Sequence, residues 1–452
     1  MQISLKRINA LFDPGSFVDH HPDEKSHFIC GEGSVNSVKT FLVMNRGQDC
    51  EFRGSGQWHT ARQIVRTVTQ AQNDGAPLIY IQDQTGGVGS FDTTKVLSRD
   101  MSKLLLSPSG MGRVSASLAE LAETNLLVSA ILGPTSGPLA LPLMLADLVL
   151  MTEKGALCMG RPDMVKAMLA QESDLYSLGG TDVHSKGSGS VQLVFEDEGN
   201  LFRCLKKMIN DIFKGSSPNA REYEDPDPTD FEKLIPSNHR VPYDIHDLLY
   251  SFIDKSSLTE ISPQFAQEVL TGYASIKGNL TTIIANNPRY NGGIIHRKSA
   301  SKMVKMINIA AKIKTPIIFV ADVPGFMIGR EAERTGIFSA AAELFRSHIQ
   351  CKVPKLLLVA RKAYTGGVYA MCGPGFDPVA VLAYPHAQIG VFSPDTMNKV
   401  LSTFDEDARS TMQGLTEEIE NPELLKINGL ITDVIKIEST RNQVIKYLFP
   451  AK

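Results

Sequence analysis

Two glycine-bearing loops are the places where the backbone of this chain could itself do chemistry. One is Gly133-Pro-Thr-Ser136-Gly137-Pro138, at the end of an apolar run. The other, Arg361-Lys-Ala-Tyr364-Thr365-Gly366-Gly367-Val-Tyr-Ala-Met371, leads from a strand-like stretch into the small-residue start of a helix. Glycine lets a chain turn closely enough for successive N–H groups to face one oxygen. Preorganised donors in a dry site stabilise an oxyanion as it develops, which is what enolate or tetrahedral chemistry at a thioester needs. A helix start adds its dipole to the same end. Taken alone, the second loop also fits a simple tight turn.

Side chains offer less. No Ser/His/Asp or paired-carboxylate constellation stands out. His20-His21 lies in a polar stretch with no further ligand cluster, so no metal site is expected. Cys30, Cys50, Cys158, Cys204, Cys351 and Cys372 are scattered, without a C-x-x-C pair, and fit reduced thiols in a cytosolic protein. The first residues, Met1 to Phe17, lack the apolar core and cleavage site of a signal peptide. A cytoplasmic location is expected.

The elements that must hold these loops are written twice. Ala76-Pro-Leu-Ile-Tyr-Ile81 is a β-branched and aromatic run ending at Asp83 and Thr85-Gly86-Gly87, and Thr315-Pro-Ile-Ile-Phe-Val320 ends at Asp322 and Pro324-Gly325. Pro77 and Pro316 are 239 positions apart. A helical pattern precedes each run, starting at His59 and at His296, which are 237 positions apart. A second strand follows in each half, Leu126 to Leu132 and Lys355 to Ala360, and each enters one of the glycine loops. Helix, strand, loop, helix, strand, glycine loop thus recurs in order, which argues for α/β layers with loop-borne sites at strand ends. No G-x-G-x-x-G follows an early strand, which weakens a Rossmann reading.

Length and charge set the frame. The 452 residues suit two domains, and a net charge of −3 without long basic runs gives no footprint for nucleic acid. Ser216 to His239 carries Pro218, Pro226, Pro228 and Pro236 with Asp225, Asp227 and Asp230, and reads as linker. The division expected is 1–217, linker 218–239, and 240–452. Leu126 to Ala146 is uncharged over a membrane-spanning length, but Gly133, Pro134, Gly137, Pro138 and Pro142 suit strand, loop and helix better, so no membrane span is expected. Asp244 to Asp254 reads as an ordinary helix.

Several segments carry a resemblance in combination and order: Leu11 to Phe17, Gly160 to Lys166, Leu178 to His184, Ala321-Asp-Val-Pro-Gly-Phe326, and Val353 through Tyr364. With them the chain resembles the carboxyltransferase (β) subunits of biotin-dependent acyl-CoA carboxylases. Asp322 through Gly375 also resembles the α subunits of sodium-pump decarboxylases such as glutaconyl-CoA decarboxylase. The resemblance implies an α/β fold of two tandem crotonase (ClpP/crotonase-like) domains related by internal duplication. It implies that the first domain binds acyl-CoA and the second carboxybiotin, with the site formed between domains of neighbouring subunits in a homo-oligomer, a dimer of active-site halves or a hexamer. Gly366 and Gly367 map onto the N–H pair that holds the biotin ureido oxygen, and Ser136 and Gly137 onto the acyl side. Gly86, Gly87 and Pro138 in the first half, and Pro324, Gly325, Phe326, Tyr364 and Thr365 in the second, are the implied substrate-lining residues. No protein side chain need be the base. His184 falls in a recurring structural loop of the family.

Met303-Val-Lys305-Met306 superficially resembles a biotinylated hairpin, but it lies in a helical pattern and reads as a surface lysine between core methionines. With no lysine suited to biotinylation and no ATP-binding loop, biotin is expected on a separate carrier protein, charged by a separate biotin carboxylase subunit. The acceptor that the resemblance implies is an acyl-CoA or acyl-carrier thioester. The first loop departs from the family, whose carboxyltransferases carry Ala-Gly-Gly where this chain has Ser136-Gly137-Pro138. Proline has no N–H, and losing one oxyanion donor costs about 3–4 kcal/mol. The loop after Asp83 also lacks the family's arginine-bearing continuation. Two alternatives therefore stay open: a decarboxylase component running the transfer in reverse, and a non-catalytic subunit kept for assembly.

Overall fold

Parallel strands covered on both faces have to be apolar along their whole length, and the computed structural model has such strands in both halves of a mixed α/β fold. It describes residues 2–22, 28–46, 57–84, 106–136, 140–214, 223–391 and 421–450. The chain divides into two compact units, Met1–Lys214 and Gly215–Lys452. In the first, the sheet runs in the order β1 (Val18–Asp19), β2 (Phe28–Val35), β3 (Val38–Asn45), β4 (Leu78–Gln82), β5 (Leu127–Ile131), β7 (Leu148–Thr152) and β9 (Leu193–Phe195), while β6 (Pro134–Ser136) pairs with β8 (Ala156–Cys158). Every residue of β4, β5 and β7 is buried. Helices α1 (Gln2–Leu11), α2 (Gln57–Asn73), α3 (Met111–Thr124) and α4 (Glu198–Lys214) belong to this unit. Ile64 and Val68 of α2 and Val114, Leu118 and Leu121 of α3 join Leu78 and Tyr80 in one core.

The second unit follows the same path: β10 (Thr259–Ile261), β11 (Val269–Ile276), β12 (Asn279–Asn286), β13 (Ile317–Val323), β14 (Lys355–Tyr364), β15 (Ala380–Ala383) and β17 (Asp433–Val434), with β16 (Gln388–Gly390) on the end of β14. In each unit an antiparallel hairpin, β2–β3 or β11–β12, is followed by strands that add in parallel. The equivalence extends to single bonds. Phe41 N–H donates to Pro77 O at 2.9 Å and Thr282 N–H to Pro316 O at 2.9 Å, and Gln192 to Val149 and Thr432 to Val381 are both 2.8 Å. The strands expected from both halves of the sequence are present, and the helix expected from His296 is α5 (Arg297–Ile313), started by Ser299 Oγ accepting the His296 N–H at 2.7 Å.

Two details differ from expectation. The proline- and aspartate-bearing segment before His239 belongs to the second unit: Leu234, at the end of a short helix Phe231–Leu234, joins the core with Leu248 and Phe252, and Phe231 and Ile235 pack against it. Its acidic residues are also engaged, Asp225 with Arg441 at 2.9 Å and Asp227 with Lys255 at 2.8 Å. Lys305 is half-buried rather than a surface residue between the buried Met303 and Met306. The fully enclosed lysine of α5 is Lys302, which donates to Phe265 O at 2.8 Å and Val269 O at 2.7 Å and is pushed down to about 8 by burial. The stretch from Asp244 does hold a helix, Ile245–Tyr250, capped by Asp244.

Within Leu126 to Ala146 the described residues form β5, β6 and a 3-10 turn, Leu141–Leu145, and no described helix is long and apolar enough to cross a membrane. If the segment before His239 is structural, Leu234→Ala should cost the unfolding transition of the second unit about 2–3 kcal/mol, as for a buried leucine truncation. Urea denaturation checks this, and a free linker would show no change.

Candidate functional site

The glycine loop of the second unit is placed by a break in the register of two strands. Ala321 of β13 pairs with Val359 of β14, but the next partners are Val323 and Ala363. One residue, Asp322, therefore stands opposite three, Ala360 to Lys362, and a bulge of this kind re-aims the strand that carries it. Before the bulge β14 pairs with β15, and beyond it Lys362, Ala363 and Tyr364 pair with Gln388, Ile389 and Gly390 of β16.

Charge holds the bulge together. Asp322 has no exposed surface, and Arg361 is 3% exposed. Arg361 Nε donates to Asp322 Oδ2 at 2.9 Å, and Lys362 Nζ stands 3.4 Å from Oδ1. Arg361 Nη1 donates to Val241 O at 2.8 Å, and its guanidinium lies 4.9 Å from the ring centre of Tyr243. Burial and the neighbouring Asp322 carboxylate hold the Tyr243 phenol well above its ordinary range.

From this anchor the two strands run into facing loops. Gly325 has φ +129, and a Cβ there would come 2.8 Å from Thr365 Oγ1; a Cβ on Gly367 would come 3.0 Å from Val323 and 3.1 Å from Gly325 Cα. The loop after β13 is tied down by Ile295 N–H to Gly325 O at 3.0 Å and Met327 N–H to Ile295 O at 2.8 Å. Pro324, Gly325, Phe326, Tyr364, Thr365, Gly366 and Gly367 are thus brought together.

Thr365 is the strained member, a β-branched residue at φ +50, ψ −134. Its N–H donates to Gly390 O at 3.0 Å and its carbonyl accepts the Val368 N–H at 3.3 Å, so it is held on both sides. Helix α7 (Gly366–Ala370) begins immediately after. Neither the Gly366 nor the Gly367 N–H has a hydrogen-bond partner among the described residues.

Aromatic side chains wall this region. Phe326 packs against Gly366, where a Cβ would meet its ring at 3.1 Å, and Phe345 of α6 (Ile337–Gln350) lies 6.2 Å from Phe326, 6.3 Å from Tyr369 and 5.3 Å from Phe376 between ring centres. Behind them His348 is pushed down to about 4 by burial and so stays neutral. Its Nε2 donates to Ala370 O, the last residue of α7, at 2.9 Å.

In the first unit the equivalent aspartate, Asp83, is anchored differently. Arg7 of α1 donates to Asp83 Oδ2 at 2.6 Å and to both carboxylate oxygens of Glu198, while Asn45 bonds the backbone of Asp83 on both sides, at 2.8 and 2.7 Å. Gln84 N–H donates to Pro134 O at 3.1 Å, and Ser136 N–H is taken up by Gln84 Oε1 at 3.3 Å. That N–H is therefore not spare. Gly86, Gly87, Gly137 and Pro138 lie outside the described residues.

His184 Nε2 donates to Leu157 O at 2.7 Å within a turn spanning Asp182–Ser188. Among the described residues no cluster of three or more metal-ligating side chains occurs, and Cys30, Cys158, Cys204, Cys351 and Cys372 are free thiols. Asp322 with Arg361, Phe345, His348 and Gln84 were not singled out by residue type. The sequence signals were that Asp83 and Asp322 close equivalent strand runs and that Asp322 and Arg361 fall within segments that carry the family resemblance.

The family model for the carboxyl transferase domain matches residues 1–447. An uncharacterized carboxylase, YngE, of Bacillus subtilis (strain 168) is 30% identical, covering 98% of this chain and 89% of the relative. The biotin-dependent 3-methylcrotonyl-coenzyme A carboxylase beta1 subunit of Mycobacterium tuberculosis (strain ATCC 25618 / H37Rv) is 28% identical, over 88% of this chain and 75% of the relative. The transcarboxylase 12S crystal structure, a hexamer with methylmalonyl-coenzyme A and methylmalonic acid bound, superposes with a TM-score of 0.84 at 22% identity, covering 99% of this chain and 91% of that one; it is similar in fold.

The strain in the loop pair predicts opposite signs for two substitutions. Gly325→Ala places a Cβ at positive φ against Thr365 and should cost about 1–3 kcal/mol. Thr365→Gly relieves a positive φ and should be neutral or stabilising by up to about 1 kcal/mol. Thermal melting of the second unit checks both, and equal losses would mean that Thr365 is not strained.

Proposed function

We propose, from the premise that this chain belongs to the carboxyl transferase domain family, that it moves a carboxyl group between carboxybiotin and the α-carbon of an acyl thioester. The observation that carries this reading is the pair of adjacent N–H groups of Gly366 and Gly367, without hydrogen-bond partners among the described residues, at the end of a charge-anchored strand. Carboxybiotin, borne on a separate carrier protein and charged by a biotin carboxylase subunit, supplies the carboxyl group when bound.

The residues present suit such a group. Gly366 and Gly367 offer two donors to a ureido oxygen, and because they need no reorganisation they favour it most as it gains negative charge. Phe326, Phe345, Tyr369 and Phe376 offer apolar faces to a flat ring beside the donors. Asp322 and Arg361 hold the strand ends, and His348 holds the far end of α7.

We assign the acyl thioester to the first unit, at the end of β4 and β6, and both units to the crotonase type, arisen by duplication. The shared strand path and the equivalent backbone bonds support that origin. A homo-oligomeric assembly in the cytoplasm, with carrier and carboxylase as partners, completes the reading.

The test is label transfer from a ¹⁴C-carboxylated biotin carrier to a panel of acyl-CoA and acyl-carrier thioesters. Transfer to at least one acceptor is expected, in the presence of this protein only. A carrier that stays carboxylated with every acceptor would instead favour a non-catalytic subunit.

A further inference from the structure

The donors of Gly366 and Gly367 belong to a helix of five residues, about 7.5 Å long. A single turn has too few internal bonds to hold its own shape. The direction of its first N–H groups is therefore set by what grips its two ends. At the N-terminal end the grip is Thr365, whose N–H is fixed on Gly390 O. At the other end Gly367 O accepts the Met371 N–H at 3.0 Å, Tyr369 O that of Cys372 at 3.2 Å and Val368 O that of Gly373 at 2.8 Å.

Ala370 O has no backbone donor among the described residues. Its helical donor would be the N–H of residue 374, but the chain leaves the helix at Cys372, with φ +62, and residue 374 is proline, which has no N–H. A side chain from another element takes that place: His348 of α6 donates from Nε2 to Ala370 O at 2.9 Å. A carbonyl only accepts, so Nε2 carries the hydrogen, and Nδ1, buried and without a hydrogen-bond partner among the described residues, carries none. Burial, which pushes the imidazole down to about 4, keeps it in that neutral form.

The imidazole is itself held. His348 has no exposed surface, its ring lies 5.1 Å from Phe319 of β13 and 5.2 Å from Phe376 between ring centres, and its own carbonyl accepts from Lys355 Nζ of β14 at 2.6 Å. We propose that His348 is a positioning residue for carboxyl transfer: by holding Ala370 O it fixes the direction in which the Gly366 and Gly367 N–H groups face the carboxyl donor. This rests on the assignment of those two N–H groups to the ureido oxygen. His348 acts only through α7 and exchanges no proton during the transfer.

His348→Phe keeps a ring between Phe319 and Phe376 and removes the donor, whereas His348→Gln gives up the ring and keeps an Nε2 donor. With a ¹⁴C-carboxylated biotin carrier as the probe, kcat for transfer should fall about 100-fold in His348→Phe, the loss that follows from misplacing reacting groups by about an ångström. KM for the carrier should change less than about twofold, since donors that act on developing charge contribute little to ground-state binding. His348→Gln should recover most of the lost rate. If His348→Phe does not fold, His348→Met, an adaptable apolar side chain with no N–H, should show the same split.

A reading independent of turnover is the crystal structure of the donorless variant, in which the Gly366 and Gly367 nitrogens should move by more than about 0.5 Å, the tolerance of a preorganised site. A donorless variant with wild-type kcat, a loss confined to KM, no recovery in His348→Gln, or glycine nitrogens that stay in place would overturn the proposal. If the wild-type protein transfers no carboxyl group to any acceptor, the assigned function falls, while the glycine positions still decide for or against His348.

Discussion

A carboxylate with no access to water must be met by positive charge, or it will not stay ionised. In the second unit Asp322 is met by Arg361 and Lys362, and that requirement sets where β14 goes. To put both cations beside one aspartate, β14 carries two residues more than β13 across the bulge. The strand then leaves β15, takes β16 as its partner, and arrives at Thr365 with its N–H committed to Gly390. The positive φ of Thr365 follows from being held there, and the unpartnered N–H groups of Gly366 and Gly367 follow from that turn.

The two units use the same sheet and the same aspartate position, but secure it by different means. Asp322 is held by the neighbouring strand, whereas Asp83 is held by Arg7, from a helix 76 residues earlier in the chain. The first anchor fixes a second strand's course directly. The second ties the N-terminal helix and Glu198 of α4 to the strand end, so the integrity of that end depends on α1 being docked. The frame is thus the same in the two units, while the surroundings of its key carboxylate differ.

Much of the frame was legible in the sequence because buried parallel strands leave a plain record, short runs of β-branched, aliphatic and aromatic residues, and here they leave it twice at a nearly constant interval. The glycines of the second loop were legible for the same kind of reason, since their residue type is itself the conformational requirement. The segment before His239 was misread because its prolines and aspartates dominated the reading, while Phe231, Leu234 and Ile235, at helical spacing, were too few to stand out. The partnerships of Asp322 with Arg361 and of Gln84 with Ser136 were not legible at all. They join residues 39 and 52 positions apart, and they exist only once parallel register has been set. His348 looked like any other residue of an amphipathic helix; only its contact with Ala370 reveals its task.

The central claim is that Gly366 and Gly367 present their N–H groups to one oxygen of the carboxyl donor. A crystal structure of the protein soaked with biotin measures this most directly. The account predicts the ureido oxygen within about 3.2 Å of both nitrogens, the range of a true hydrogen bond, with the ring against Phe326. Biotin bound elsewhere, or bound here with that oxygen turned away from both glycines, would contradict it.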